Sequence, residues 1–284
     1  NVLANSTKLK VLNLSNAEDH SGNYTITSEG WHSLFGALQS PSCVVEELDF
    51  SYNNISDEDV VHMSNSLANN SILRHLNLRC LLQRITASGW RAFSAVLSNP
   101  NSALEKVDLS NNEIDDDALV PLANSLENNN KLKELILNQQ DYADIEITNW
   151  DTLASVLCNK SSINATFNSN HTLQRIVNPE DQVIDESDLE TLLLWNRGNT
   201  RFEAARRKII KVHFSGADIS IMPFIEMDTK VLPHAVAWMA RDEYGSSVLY
   251  RFVRDTTFFL DVVGVKHGNE PKRQKTAVSI SCFC

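Results

Sequence analysis

Glycine and proline are scarce in this chain, with 9 and 7 among 284 residues. Loops that cradle phosphates or dinucleotides need stretches of backbone without a Cβ, so so few glycines leave little room for them. No G-x-S-x-G, H-E-x-x-H, phosphate loop or dinucleotide fingerprint occurs. Cysteine is also sparse: Cys43, Cys80, Cys158, Cys282 and Cys284, an odd number with the first three far apart. Histidine and cysteine never stand at metal-ligand spacing. A disulfide framework, a metal site and a cofactor are therefore not expected, and a reducing compartment is. Eight Asn-x-Ser/Thr sequons, such as those at Asn23 and Asn54, are expected by chance in so asparagine-rich a chain. No apolar run approaches the roughly 18 residues of a membrane span. The chain opens at Asn1 with no positively charged or apolar leader, as a fragment or processed form would. The expectation is an intracellular protein, cytoplasmic or nuclear.

What is abundant is asparagine. It fills 29 positions, 25 of them in residues 1–170. Charge divides at the same point: residues 1–170 hold 10 Lys+Arg against 21 Asp+Glu, which accounts for the whole net charge of −11. An acidic body of this kind repels phosphates and argues against a nucleic-acid partner. A hydrophobic fraction of 42% supports a folded core.

The apolar residues repeat. L-x-x-L-x-L recurs as Leu9, Leu12, Leu14; Val45, Leu48, Phe50; Leu73, Leu76, Leu78; Leu104, Val107, Leu109; and Leu132, Leu135, Leu137. INATFN, starting at Ile163, reads as a degraded sixth copy. Central positions 12, 48, 76, 107, 135 and 166 then step by 36, 28, 31, 28 and 31. Each copy is followed by an apolar pattern of helical period, such as Trp90, Phe93, Val96 and Leu97. Thr27, Ser56, Thr86, Asp115 and Thr148 are the expected helix caps. Two kinds of copy alternate. One carries a Trp-containing helix (Trp31, Trp90, Trp150). The other carries SDEDVVHMSNSLANN or DDDALVPLANSLENN. Each unit is a strand, a turn and a helix that cannot bury its apolar side alone, so the units must stack.

These cores, together with SYNNI and SNNEI, resemble the ribonuclease-inhibitor type of leucine-rich repeat. The resemblance covers roughly 60% of the chain. It implies an α/β leucine-rich repeat solenoid, a right-handed β-α superhelix in a horseshoe arc. Asn53 and Asn112 stand at the turn position where a buried amide satisfies backbone groups. The other copies have Ala17, Leu81 and Gln140 there, with longer connections AEDHSGNY, CLLQR and QDYAD. Those extra loops are expected along one edge at every second repeat. Asparagines at helix ends, such as Asn69, Asn70 and Asn128 to Asn130, are expected to take the left-handed conformation that glycine usually supplies.

Residues 1–173 thus form the array. Residues 174–261 read as an all-α C-terminal cap with helices over ESDLETLLLWNRG, TRFEAARRKIIKVHFSG (Thr200 and Glu203 at capping-box spacing), LPHAVAWMARDEYG and SSVLYRFVRDTTFFLD. A flexible basic tail follows over 262–284. Arg206, Arg207, Lys208 and Lys211 are expected on one solvated basic helix face. The tail's PKRQK resembles a nuclear-import signal, and its Cys282-Phe283-Cys284 end resembles a doubly prenylated terminus, without the GTPase phosphate loop that usually accompanies one.

Along each strand the residues between the leucines must point away from the core. They are Val11, Asn13, Ser15; Glu47, Asp49, Ser51; His75, Asn77, Arg79; Lys106, Asp108, Ser110; Glu134, Ile136, Asn138; and Ala165, Phe167, Ser169. Glu47, Asp49, His75, Asn77, Arg79, Lys106, Asp108 and Glu134 are the candidate protein-binding residues. The Asp57-Glu58-Asp59 and Asp115-Asp116-Asp117 clusters lack the alternation and glycine of a calcium loop and fit helix N-termini. The expected function is a non-enzymatic interaction module. It would bind a protein partner, preferably a basic one, on the concave face and the extended-loop edge. The repeat type and acidic character also resemble the leucine-rich GTPase-activating proteins of nuclear transport, so a regulator of an enzyme is the alternative.

Overall fold

The computed structural model describes residues 8–17, 26–138, 147–177, 187–198, 200–213, 234 and 237. The loops AEDHSGNY and QDYAD, the helices expected after residue 216 and the basic tail lie outside these residues, except for Ala17, His234 and Ala237. The chain divides into compact units at 1–235 and 236–284, and the first is the one described below.

Six three-residue strands form one parallel sheet in sequence order: β1 (Val11–Asn13), β2 (Glu47–Asp49), β3 (His75–Asn77), β4 (Lys106–Asp108), β5 (Glu134–Ile136) and β6 (Arg175–Val177). The register follows the repeat, with Leu12, Leu48, Leu76, Val107, Leu135 and Ile176 side by side. Helices α1 (Ser28–Leu38), α2 (Asp57–Leu67), α3 (Ala87–Ser98), α4 (Asp116–Ser125) and α5 (Trp150–Leu157) each follow a strand. Short α6 (Ile163–Asn168) precedes β6, and α7 (Ser187–Asn196) and α8 (Arg201–His213) come after it. The leucine row and the inward helix faces merge into one continuous core. Burying a leucine or phenylalanine contributes roughly 1.5–3 kcal/mol, so the core is spread evenly along the stack rather than centred.

The helix starts follow the sequence. Thr27, Ser56, Thr86 and Asp115 each accept a backbone N–H from the first turn, and Ser56 with Asp59 closes a capping box. Thr148 does not cap α5. Asn149 holds that position without accepting a backbone N–H on its side chain, whose Oδ1 takes the Thr152 hydroxyl instead, and Thr148 turns to the neighbouring helix, where its Oγ1 donates to Asp116 Oδ2 at 2.5 Å. Thr86 does the same with Asp57, its backbone N donating at 2.9 Å. The acidic first turns of α2 and α4 therefore tie each repeat to the Trp-containing helix that follows, as well as facing the helix dipole.

The sixth strand is not INATFN. That segment is helix α6, capped by Ser162 Oγ accepting from Ala165 N at 3.1 Å, with Ile163 and Thr166 buried one helical turn apart. The strand is Arg175–Val177, preceded by buried Leu173, so the leucine pattern continues where it was expected to stop. The β5-to-β6 step is 41 residues, from Leu135 to Ile176. Ala165, Phe167 and Ser169 thus leave the sheet face, and Arg175 and Val177 take their places. Helix α7 follows β6 as the earlier helices follow their strands, with Leu189, Leu192 and Leu193 in the common core.

The helix-end asparagines are not left-handed. Among the described non-glycine residues, positive φ occurs at Asn16, Tyr52, Cys80, Asn111 and Glu113. The first four follow strands β1 to β4 at one shared position. The helix-end asparagines instead bridge repeats. Asn70 Nδ2 donates to Leu38 O, Asn129 Nδ2 to Leu97 O at 2.6 Å, and Asn170 Nδ2 to Leu126 O at 2.8 Å. Each amide oxygen also receives the N–H groups that lead into its own strand, such as Leu73 N, Leu132 N and Leu173 N. Asn99 joins the series through Ala68 O.

Candidate functional site: the open face of the sheet

The alternation turns the central residue of each strand into the core, fully in β2 to β5 and partly in β1 and β6, and its neighbours outward. Glu47, His75, Lys106, Glu134 and Arg175 lie in register in one row across β2 to β6. Opposite charges meet along it. His75 Nδ1 lies 3.3 Å from Glu47 Oε1. Glu134 Oε1 lies 3.3 Å from both Lys106 Nζ and Arg175 Nη1. Cross-strand pairs of opposite sign favour this register. Exposed pairs of this kind contribute little to stability, so these side chains stay available for exchange with a partner.

The second row, Asn13, Asp49, Asn77 and Asp108, does a different job. Each Oδ1 accepts the backbone N–H two residues on: Ser15 at 2.8 Å, Ser51 at 3.0 Å, Arg79 at 3.0 Å and Ser110 at 2.9 Å. These side chains close the turn that ends each strand. The Ser51 and Ser110 hydroxyls donate to the same oxygens, and both serines are buried rather than facing outward as the alternation suggested. Arg79 stands where the β1, β2 and β4 copies have Ser15, Ser51 and Ser110, and its guanidinium lies 5.8 Å from the centre of the Tyr52 ring. Tyr52 and Leu82 are exposed beside it, on the edge where the strands end.

A further row just before the strands alternates in sign: Lys10, Glu46, Arg74, Glu105 and Lys133. Lys10 Nζ contacts Glu46 at 2.6 Å, Lys133 Nζ contacts Glu105 at 2.6 Å, and Arg74 also pairs with Glu105. Lys133 and Arg74 hold the Glu105 carboxyl below the usual range. Sequence reasoning missed this row because the L-x-x-L-x-L frame ignores the residue before the strand. The sign alternation at repeat spacing was the available signal.

All eight candidate residues are at the sheet, and Glu47, Asp49, His75, Asn77, Lys106 and Asp108 line one shallow hollow with Val11 and Asn13. The face itself is close to neutral. Glu47, Asp49, Asp108 and Glu134 stand against Arg79, Lys106 and Arg175. The exposed acids gather instead at the helix starts, where Glu29, Glu58, Asp117 and Asp151 each hold the second helical position. Among the described residues no group of acids, histidines and cysteines is arranged to hold a metal ion, and no helix is long and apolar enough to cross a membrane.

The profile of the family described as Leucine Rich repeat matches residues 42–63 and 101–123, which are the β2–α2 and β4–α4 units. With the strand-helix stack and its register, that match decides the architecture. The chain is a leucine-rich repeat solenoid. Over 119 residues this leucine-rich repeat protein is 28% identical to human NACHT, LRR and PYD domains-containing protein 13, covering 42% of the chain and 11% of that relative. It thus spans only a small part of that relative's length. A solved structure of Leiomodin-1 Actin-Binding Site 2 (ABS2) is similar at a TM-score of 0.37 and 17% identity, covering 69% of this chain and 84% of that one. The leucine-rich repeat family is one of protein-interaction modules, and the ribonuclease-inhibitor subtype is compatible with the alternation of helices seen here.

Proposed function

We propose that this leucine-rich repeat protein binds a protein partner across the open face of its sheet and the adjoining strand-exit edge, without catalysing a reaction. One observation carries the reading. Glu47, His75, Lys106, Glu134 and Arg175 form a mixed-charge row in register over five strands. Exposed Tyr52 and Leu82 and the Arg79 guanidinium stand after the strand ends, on the adjoining edge. Tyrosine and arginine are the side chains that most often anchor interfaces. A charged surround sets register and encounter rate more than affinity. The acids at the helix starts would guide a basic partner to the edge rather than to the face. The setting we propose is intracellular, and the helices α7 and α8 close the far end of the array as part of a C-terminal cap.

The test is affinity capture from native lysate with the intact chain and with a variant carrying Glu47→Lys, Lys106→Glu and Glu134→Lys. The expected result is a protein captured by the wild type and lost from the variant, with far-UV circular dichroism unchanged. Equal capture by both proteins removes the open face from the proposal. Capture that is insensitive to salt removes the charge-guided part.

A further inference from the structure

The junction between α8 and the end of the array buries a cluster of bases. Lys208 is 0% exposed. Its ammonium donates to Leu157 O at 2.6 Å and to Asn170 O at 2.9 Å. The first is the last residue of α5 and the second lies in the turn before β6. Among the described residues no carboxylate pairs with Lys208. His171, in the same turn, is buried beside it. Its Nε2 lies 3.1 Å from Phe167 O, while its Nδ1 is buried without a hydrogen-bond partner. His213, at the end of α8, places Nε2 2.8 Å from Thr166 Oγ1. Ala204, Ala205 and Ile209 fill the rest of the contact. Helix α8 is therefore seated through basic groups and small apolar side chains.

Among the described residues, the ionisable groups around this junction are Cys158 at the end of α5, His171 in the turn, Glu127 after α4, and Arg201 and His213 on α8, which also carries Glu203, half-buried Arg206 and exposed Arg207 and Lys211. Glu203 is engaged by the Thr200 backbone N–H and hydroxyl, and Glu127 is exposed at the rim with Arg201, so neither carboxylate bonds to Lys208. A buried cation with only neutral partners costs free energy that solvent recovers once the helix lifts away.

We propose that this junction is a proton-sensitive latch: acidification releases α8 from the end of the array and exposes the carbonyls that Lys208 holds. The titrations agree in sign. Burial lowers Lys208 to about 7 and His171 to about 3, and it also lowers His213. A base whose folded value is depressed binds protons more readily when released, so each proton taken up favours the open state. Lys208 acts between its ordinary lysine value and about 7. His213 and His171 act below the ordinary histidine value.

Amide hydrogen exchange of residues 201–213 in the intact chain, corrected for intrinsic rates, tests this at pH 9, 7 and 5. The expected opening of α8 rises roughly tenfold for each pH unit between 9 and 7, and further toward pH 5. In Lys208→Met the rise between pH 9 and 7 is absent. Opening that is flat with pH in the wild type, or an equal rise in Lys208→Met, overturns the proposal. Should that variant fail to fold, the Nζ titration of Lys208 in isotope-labelled wild type decides. A midpoint near neutrality supports the latch, and one at the ordinary lysine value overturns it.

Discussion

Asn53 Oδ1 accepts the backbone N–H of Ala17, a residue of the preceding repeat, at 3.1 Å. The same amide's Nδ2 donates to Leu14 O at 2.8 Å and Phe50 O at 3.0 Å. Asn112 repeats the arrangement with Leu81 N at 2.8 Å and Leu78 O at 2.7 Å. One asparagine thus serves two copies, which is why the alternate copies can place Ala17 or Leu81 at the equivalent position.

Asn112→Ala strands buried carbonyls of Leu78 and Leu109 and the N–H of Leu81 at once. Each orphaned buried group costs about 1–3 kcal/mol, so the expected loss is at least about 3 kcal/mol in urea denaturation. Leu81→Ala removes only apolar contact and should leave the amide bonds in place, giving a smaller loss. Equal losses would show that the bridge does not carry the difference.

The glycines of the Trp-containing helices differ in purpose. A Cβ on Gly89 would lie 2.3 Å from Asp57 Oδ1 and 2.7 Å from Ile85 Cγ2, whereas one on Gly36 meets nothing within 4 Å. Asp57 Oδ1 is the atom that receives Thr86 N, so Gly89→Ala pushes apart the bridge between α2 and α3. Gly36→Ala should raise stability by about 0.5–1 kcal/mol through helix propensity. Gly89→Ala should lower it by about 1–3 kcal/mol. Thermal unfolding of the two variants side by side checks the opposite signs.

Cys80 has φ 53° at the position held by Asn16 and Asn111 in two other copies. Left-handed backbone costs most residues about 1–2 kcal/mol and asparagine less. Cys80→Asn should therefore raise the urea midpoint by an amount equivalent to about 0.5–1 kcal/mol. An unchanged or lower midpoint would mean that the thiol's local contacts outweigh the strain.

The Asp116 carboxyl is held below its usual range, first by the Thr148 hydroxyl, then by the Asn149 and Thr148 backbone N–H groups. A depressed carboxylate contributes stability that is present above its unfolded value and lost as pH falls through the folded one. In Asp116→Asn the acid limb of the stability curve below about pH 4 should become shallower than in the wild type. Parallel acid limbs for the two proteins would contradict the assignment.

The sequence alone determined the period, the repeat architecture and most of the core. Leucines at fixed spacing leave one way to bury an apolar row, and the residues between them must then face outward. Helix starts at Thr27, Ser56, Thr86 and Asp115 were equally legible, because a cap acts within one turn of chain. The open-face residues Glu47, His75, Lys106 and Glu134 could be placed on one face from the two-residue period of a strand.

Tertiary structure decided what depends on neighbours distant in sequence. INATFN carries apolar residues compatible with either element, and only its tertiary contacts, with Ile163 and Thr166 buried and Thr166 Oγ1 against Asn159 O and His213 of α8, made it a helix. The pairings of Asp57 with Thr86, Asn170 with Leu126 and Glu134 with Arg175 join residues 29 to 44 positions apart. Lys208 read as one of four cations on a solvated helix face, yet it is the one that points inward. A helical period says which residues share a face. What that face meets is set by the array it packs against, here by two carbonyls that no local pattern reveals.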